Sequence, residues 1–319
     1  MTIAGNSLEQ TAHRLTLQHF GKTIQMFAPL YLSNECVDTC LYCGFRRTNK
    51  IPRQTLTVEE TLKEASFLHQ QGFRHILLVA GEHPKQVTGP FLETIAKELK
   101  KQWASIGIEV APLEESEYQK LSEAGVDRVV FYQETYNKTI YESVHVAGPK
   151  KDYEKRKQHA EILCRARIRS VGLGILLGLS PWEEECETLI GHIRYLRKKY
   201  WRTQFTIGLP RLKPSASSFS PKHTVSDETL AIMICRLRVA LPEVGIVLST
   251  REPAELRERL LPLGITHMSA GSKTNPGGYQ LQFNSLEQFS ISDLRPPSVV
   301  ADRLYNLGYE PVWKNEEIV

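Results

Sequence analysis

The sequence predicts an α/β fold, a closed (β/α)8 barrel of the TIM type, because short apolar runs alternate with helical patterns along most of its 319 residues. The apolar runs are rich in Val, Ile and Leu and nearly continuous, as expected of strands buried on both faces of a parallel sheet. Eight such runs match the strand number of a closed barrel. A partial, six-stranded barrel is the alternative, since a single sequence can mislead by one or two elements.

The elements are expected in strict alternation. The predicted strands are Gln25–Leu32, His75–Ala80, Ile108–Leu113, Arg128–Gln133, Ser170–Leu177, Gln204–Leu209, Gly245–Ser249 and Thr266–Ala270. The predicted helices are Val58–Gln71, Pro90–Gln102, Glu115–Glu123, Tyr153–Arg167, Trp182–Trp201, Asp227–Ala240 and Ala254–Leu261. With a short N-terminal helix, we expect one domain over residues 1–319, the barrel covering about 25–275 and a C-terminal extension about 276–319.

Composition excludes several classes of protein. Hydrophobic content of 41% and charged content of 24% are those of a soluble globular chain, and the net charge of +4 is mild. No apolar run approaches the roughly 18–20 residues of a membrane span, and the first residues lack the pattern of a signal peptide. We expect neither a membrane nor a nucleic acid as partner. Three cysteines are scattered, at Cys164, Cys186 and Cys235, so no disulfide framework is expected and the compartment should be reducing, hence cytoplasmic.

Polar motifs follow the predicted strand ends, the face on which barrel enzymes carry their chemistry. They are a cysteine-containing loop after the first strand, Gly81–Pro84 after the second, Gln133–Tyr136 after the fourth, Pro210–Pro214 after the sixth, Ser249–Glu252 after the seventh and Ser269–Tyr279 after the eighth. Six such motifs at one face of the barrel predict an active-site rim.

The cysteine loop, NECVDTCLYCGF, places Cys36, Cys40 and Cys43 four and three residues apart. Three thiolates at this spacing can bind three irons of a [4Fe–4S] cluster and leave the fourth open to a small molecule, because such a cluster normally takes four cysteines. Tyr42 adds an aromatic ring beside that open iron. The alternatives are three unrelated buried thiols, or a zinc site that needs one more Cys or His.

This CxxxCxYC pattern resembles the signature of the radical S-adenosylmethionine (radical SAM) family, in which the open iron chelates the amino and carboxylate groups of SAM. The resemblance implies that Ala80, Gly81 and Glu82 receive the SAM ammonium, as the family's GGE-type turn does, with Ala for the first Gly. A cap on the following helix is the alternative role for Glu82.

Two further rim residues suit other parts of SAM. Glu134 carries a carboxylate that can accept two ribose hydroxyls. Arg156 can pair with the SAM carboxylate through its planar guanidinium. Its alternative is a surface arginine among neighbouring lysines, which are Lys150, Lys151, Lys155 and Lys157.

Arg251 is a candidate substrate-binding residue, because an arginine at the end of a strand points into the barrel mouth, where its desolvation is costly unless an anion pairs with it. A substrate carboxylate is one such anion, and Glu252 is the alternative. Ser269 and Tyr31, at the ends of the neighbouring eighth and first strands, can complete a polar pocket for the charged end of an amino acid.

Along nearly its whole length the chain resembles the tyrosine lyases of the thiamine pathway, a branch of the radical SAM family. The likeness runs through PLYLSNECVDTCLYCGF, LLVAGEH, APLEESEY, VVFYQETY, LGILLGLS, LPRLKP, LSTRE, SAGSKTNPGGY and PVWK. It implies that a reduced [4Fe–4S] cluster passes an electron to SAM, and that the resulting 5′-deoxyadenosyl radical takes hydrogen from the amino group of L-tyrosine. The Cα–Cβ bond then breaks, giving p-cresol and 2-iminoacetate, which thiazole synthase consumes. It also implies that Tyr31, Arg251 and Ser269 hold the substrate carboxylate and its surroundings.

Several alternative functions stay open. A related lyase acts on tryptophan, which presents the same carboxylate and ammonium as tyrosine. The tyrosine lyase of hydrogenase maturation carries a second cluster on C-terminal cysteines, whereas no cysteine here follows Cys235. A catalytically retired iron–sulfur barrel and a SAM-dependent enzyme acting on RNA are the remaining alternatives.

The expected partners also include a low-potential electron donor, flavodoxin or ferredoxin. The residues that follow the cysteine loop offer a basic dock for an acidic donor; they are Arg46, Arg47, Lys50 and Arg53.

Overall fold

In a computed structural model, which describes residues 2–3 and 6–313, eight parallel strands close into a barrel. Closure is made by the eighth strand pairing with the first, His267 opposite Gln25 and Ser269 opposite Phe27. The eight-stranded prediction is therefore confirmed, and the six-stranded alternative is wrong. The division into domains stays a prediction, and residues 314–319 of the expected C-terminal extension lie outside the described residues.

Strands and helices alternate through the barrel. The barrel strands are β1 (Thr23–Ser33), β2 (His75–Ala80), β3 (Ser105–Glu109), β4 (Val126–Val130), β5 (Ser170–Gly174), β6 (Gln204–Gly208), β7 (Gly245–Leu248) and β8 (His267–Ser269). The helices are α1 (Leu8–Phe20), α2 (Val58–Gln70), α3 (Gly89–Leu99), α4 (Glu115–Ala124), α5 (Lys138–Val144), α6 (Tyr153–Arg165), α7 (Trp182–Lys199), α8 (Asp227–Ala240), α9 (Ala254–Gly264) and α10 (Pro297–Asn306). A last strand, β9 (Glu310–Val312), pairs in parallel with the start of β1. Among the described residues, no helix is both long and apolar enough to cross a membrane.

The two faces of β1 separate the core from the barrel interior. Ile24, Met26 and Leu30 are almost fully buried and belong to the main hydrophobic core, which also holds the apolar faces of the helices. Phe27 and Tyr31, on the alternate face, line the interior cavity of the barrel. The period of two along a strand thus directs Tyr31 toward the site.

The third strand lies three residues earlier than predicted. Apolar character continues through Val110–Leu113, beyond the end of the strand, whereas Ser105 and Gly107 at its start are not hydrophobic. These two residues occupy alternate positions on the strand, and Ser105 lines the cavity inside the barrel. Hydrophobicity therefore misplaced a strand whose inward face is small and polar.

An irregular segment, residues 281–296, crosses the mouth of the barrel, and we call it the cover segment. Its backbone is tied to three loops, since Gln288 donates to the Thr274 carbonyl at 2.9 Å, Ser290 to Pro214 at 3.0 Å and Ser292 to Thr250 at 2.9 Å. Just before it, the buried carboxylate of Glu64 in α2 accepts three successive backbone N–H groups, those of residues 279, 280 and 281, at 2.7–2.9 Å.

Candidate active site

The three cysteines of the predicted motif line one cavity at the C-terminal ends of the strands. Cys40 is held by a two-residue strand, Thr39–Cys40, which pairs antiparallel with His145–Ala147. No group of three or more Cys, His, Asp or Glu side chains among the described residues is close enough to bind a single metal ion, as a zinc site requires. A cubane cluster has no such requirement, because each thiolate binds a different iron.

Arg53 fastens the cysteine loop. Its guanidinium donates to four backbone carbonyls, those of Asn34 at 2.5 Å, Phe45 and Arg46 at 2.8 Å and Asn49 at 3.1 Å. Arg53 thus organises the loop, whereas its part in a basic dock stays a prediction, because hydrogen bonds to neutral carbonyls leave its charge uncompensated. Residues of the loop that remain exposed include Arg47 and Lys50.

The turn after β2 brings Gly81 and Glu82 against this loop. Gly81 N–H donates to the Ser33 carbonyl, and the Glu82 carbonyl accepts from Val37 N–H, both at 2.9 Å. A Cβ on Gly81 would lie 2.3 Å from the Glu35 carbonyl oxygen, so the close approach of the two loops requires glycine. Ala80 and Glu82 line the cysteine cavity. The alternative role of Glu82 as a helix cap is wrong, because Thr88 caps α3.

Two carboxylates and two cations form a buried cluster on the wall of the same cavity. Arg156 Nη1 lies 2.8 Å from Glu82 Oε1, and Lys150 Nζ lies 3.3 Å from Glu82 and 2.9 Å from Glu134. Arg156 also donates to the Tyr132 carbonyl at 2.8 Å and is 7% exposed, so its reading as a surface arginine is wrong.

Electrostatics keep all four groups of this cluster ionised. Burial alone would raise the pKa of Glu82 and of Glu134, but Arg156 and Lys150 hold both values below the ordinary range. Burial and Arg156 oppose the charge of Lys150, yet the two carboxylates raise its pKa well above the usual value. One oxygen, Glu82 Oε2, is buried without a hydrogen-bond partner. It is available to a ligand donor, as expected if a ligand ammonium binds at this turn.

Lys150 is a site residue that sequence analysis missed. It lies among other lysines after Gly148, and no apolar pattern marks it as buried. Its side chain is only 12% exposed because the short 3₁₀ helix Pro149–Lys151 turns it into the cavity. Its backbone N–H donates to Asp38 of the cysteine loop at 2.8 Å.

Tyr42 lines the cysteine cavity and is fixed through its hydroxyl. The Tyr42 Oη–His145 Nε2 distance is 2.8 Å, and His145 Nδ1 lies 2.8 Å from the Tyr141 carbonyl oxygen. Since a carbonyl only accepts, Nδ1 carries the proton and Nε2 accepts from Tyr42. Burial and the charge of Lys150 lower the pKa of His145 to about 3, so the ring is neutral at pH 7.

A second cavity, inside the barrel, holds the other three predicted site residues: Tyr31, Arg251 and Ser269. The Tyr31 hydroxyl donates to Gln288 Oε1 of the cover segment at 2.7 Å. Ser269 Oγ accepts from Thr250 N–H at 3.2 Å, which orients it at the end of β8. Gln288 was not predicted, because its segment carries no motif and reaches the site only through the fold.

Arg251 is a cation without an acidic partner. Its guanidinium lies 3.3 Å from the centre of the Phe289 ring and donates weakly to the Arg211 carbonyl at 3.4 Å. Within the described part of the chain no carboxylate lies within ion-pair distance of it, and Glu252 pairs instead with Arg211, whose Nε is 3.1 Å from both carboxylate oxygens. The alternative of an Arg251–Glu252 pair is therefore wrong. Burial lowers the pKa of Arg251, and the negative charges of Glu109 and Glu134 oppose this only in part.

The two cavities share a wall. The ionisable groups of that wall are Glu109 at the end of β3, Tyr132 after β4 and Arg251. A molecule on the thiol side and one inside the barrel would therefore both contact this wall.

Comparison with known proteins places this geometry in context. The Radical SAM superfamily matches residues 30–211, and the Biotin and Thiamin Synthesis associated domain matches residues 208–310. The 2-iminoacetate synthase of Escherichia coli (strain K12) is 40% identical over 309 residues, which cover 97% of this chain and 82% of that protein. The X-ray structure of the FeFe-hydrogenase maturase HydG from Carboxydothermus hydrogenoformans has a TM-score of 0.91 and 36% identity, covering 97% of this chain and 72% of that one. The crystal structure of methylornithine synthase (PylB), at 21% identity and a TM-score of 0.72, shares the fold.

Proposed function

Because the chain belongs to the radical SAM superfamily and, within it, to the family of the 2-iminoacetate synthases, we propose that it cleaves the Cα–Cβ bond of L-tyrosine to 2-iminoacetate and p-cresol. The 2-iminoacetate would serve the formation of the thiamine thiazole. One observation carries the proposal beyond the family relationship: Arg251, a half-buried cation without an acidic partner, lies on the wall between the cysteine cavity and the barrel interior. A carboxylate substrate bound there would lie next to the cofactor site.

The residues present fit a [4Fe–4S] cluster and SAM. Cys36, Cys40 and Cys43 would hold the cluster, and the orphaned Glu82 Oε2 offers an acceptor for the SAM ammonium. Glu134 would accept from the ribose hydroxyls. When bound, the two groups supply a 5′-deoxyadenosyl radical by one-electron reductive cleavage of SAM.

The charged cluster around Lys150 would hold SAM in a fixed orientation. Its two carboxylates and two cations already neutralise one another, so no large rearrangement is needed when the ligand enters. Arg156 retains donors beyond those used for Glu82 and Tyr132, and these can reach the SAM carboxylate. The backbone of Ala80 and Gly81 would supply carbonyl acceptors beside Glu82.

Substrate binding would use the barrel interior. Arg251 would pair with the tyrosine carboxylate, and the hydroxyls of Tyr31 and Ser269 would complete the polar pocket. The cover segment, through Gln288 and Phe289, closes the outer side of this pocket and would exclude water from a radical reaction.

Partners follow from the chemistry. A low-potential donor such as flavodoxin or ferredoxin would deliver the electron, and the exposed Arg47 and Lys50 beside the cysteine loop would attract an acidic surface. Thiazole synthase would take up the 2-iminoacetate.

The test is an anaerobic assay with reconstituted protein, SAM and dithionite, supplied with L-tyrosine or L-tryptophan. We expect p-cresol and 5′-deoxyadenosine from tyrosine only, and neither from Cys40→Ala protein under the same conditions. Turnover of tryptophan without p-cresol from tyrosine would show that the substrate assignment is wrong. Absence of SAM cleavage with either amino acid would count against enzymatic activity altogether.

A further inference from the structure

Glu109 is an acidic side chain at the centre of the site that the proposed roles leave unused. It is the last residue of β3, opposite Val79 of β2, and it lines both cavities. Among the described residues that line both cavities it is the one carboxylate, and Arg251 is the one guanidinium. The shared wall thus carries one negative and one positive group, as a zwitterionic amino acid requires.

The Glu109 carboxylate has no hydrogen bond or ion pair within the described part of the chain. The other acids around the site have protein partners. Glu82 pairs with Lys150 and Arg156, Glu134 pairs with Lys150, Glu252 pairs with Arg211, and Asp38 accepts the backbone N–H of Lys150. A half-buried carboxylate that lines a cavity without a protein partner is free to accept from a ligand donor.

Burial and neighbouring charges together set the pKa of Glu109 close to neutral pH. Burial raises the pKa of Glu109 to about 7, and the negative charge of Glu134 adds to that effect. Lys150, Arg251 and Arg156 act in the opposite direction. The phenols of Tyr31 and Tyr132, which also face it, stay protonated because burial raises their pKa.

We propose that Glu109 binds the amino group of the substrate amino acid and takes one of its ammonium protons. This inference rests on the proposed function, with the substrate carboxylate on Arg251. The ammonium passes one proton to the carboxylate, leaving a neutral amine and a carboxylic acid, and no electron moves in this step. Removal of a hydrogen atom from nitrogen then starts from an amine, which avoids forming a radical that carries an additional positive charge.

The test compares two ligands that differ in the amino group, L-tyrosine and 3-(4-hydroxyphenyl)propanoate. Binding is measured by anaerobic calorimetry on the SAM-loaded holoenzyme with the cluster left oxidised, so that no turnover occurs. Glu109→Gln should weaken tyrosine binding about 10- to 100-fold, the range for a hydrogen bond to a charged group. The dissociation constant of 3-(4-hydroxyphenyl)propanoate should change by no more than about twofold. Exposed Glu123→Gln on α4 is the matched control and should change neither.

A second measurement detects the proton that is released to solvent when tyrosine binds. At pH 6 free Glu109 is mostly protonated, so binding of tyrosine should release about one proton, detected as a dependence of the heat on the ionisation enthalpy of the buffer. Glu109→Gln should abolish this release.

Three results would overturn the inference. They are equal weakening of both ligands, unchanged tyrosine affinity, and a loss of SAM affinity alone, which would place Glu109 on SAM. A wild-type holoenzyme that binds no tyrosine would instead contradict the proposed function.

Discussion

Arg251 and Glu109 show how single residues in this barrel can be tuned for a ligand rather than for stability. Arg251 stacks on Phe289 and lacks an acidic partner, and the half-buried Glu109 lacks a hydrogen-bond donor. Each leaves an incompletely compensated charge in the folded protein, which costs free energy of folding. Stability and binding should therefore respond in opposite directions when either is replaced.

The first prediction concerns Arg251→Leu. We expect an intact cluster and normal SAM binding, with tyrosine affinity lowered by about 30-fold to several thousand-fold, because a shielded charge pair is worth on the order of 2–5 kcal/mol. Arg251→Lys should recover only part of the loss, since an ammonium lacks the planar two-point contact. Anaerobic calorimetry with tyrosine measures both, and an unchanged dissociation constant would remove Arg251 from the substrate site.

The second prediction concerns the stability of Glu109→Gln protein. Because the folded pKa of about 7 exceeds the ordinary 4.5, the folded state keeps a proton that the unfolded chain has lost. Wild-type stability therefore falls as pH rises from about 4.5 to about 7, and the glutamine variant escapes this loss. Its advantage should grow to at most about 3.5 kcal/mol at pH 8, at about 1.4 kcal/mol for each pKa unit. Urea midpoints of cluster-free protein at pH 5 and pH 8 measure it, and an equal advantage at both would contradict the assignment.

At the scale of residues, sequence reasoning found side chains that stand in motifs at strand ends and missed those that reach the site from elsewhere. Glu82, Glu134 and Arg251 lie within four residues of a strand end, so their position in a barrel could be expected. Lys150 comes from a 3₁₀ turn, and Gln288 comes from the cover segment, where no periodicity indicates proximity. Their contacts depend on the closed fold.

At the scale of elements, the cysteine loop is held by backbone contacts rather than by regular structure. The Arg53 guanidinium donates hydrogen bonds to four backbone carbonyls. The middle cysteine, Cys40, is fixed by the antiparallel pairing of Thr39–Cys40 with His145–Ala147. The basic sequence after the motif therefore has two different uses. Arg53 organises the loop, whereas Arg47 is exposed.

The third prediction separates these two uses. Arg53→Gln should lower the iron retained after reconstitution and desalting, because four carbonyls lose their common donor. Arg47→Gln, the matched exposed change, should retain iron and full dithionite-driven activity, but slow turnover with flavodoxin at low salt. Iron and sulfide analysis with both electron sources checks this. Normal cluster retention by Arg53→Gln would show that the loop does not depend on that side chain.

At the scale of the whole molecule, alternation of apolar runs and helical patterns was enough to predict the closed barrel. The boundary errors arose where hydrophobicity and strand pairing diverge, as in β3. β9 and α5 were not foreseen, because three-residue strands and two-turn helices carry too little pattern to stand out.

The fourth prediction uses the placement of the six cysteines across the molecule. Replacing Cys36, Cys40 or Cys43 with Ala should abolish SAM cleavage and the brown colour of the protein. Cys164, Cys186 and Cys235 are buried in the hydrophobic core and do not line the cysteine cavity, so their alanine variants should keep the cluster and lose only some thermal stability. Iron content and the visible absorption spectrum give the result. Loss of cluster iron from Cys235→Ala would show that the ligands are misassigned.

The cover segment is synthesised long after the cysteine loop that it covers. Gln288 approaches the Cys43 sulfur and the Tyr31 hydroxyl, yet it lies 245 residues after that cysteine in the chain. A ribosome therefore completes the cysteine loop long before it makes the side chain that covers it. During that interval the thiols face solvent, accessible to iron donors and equally to oxidants. Closure over the loop is thus one of the last events in the folding of the chain.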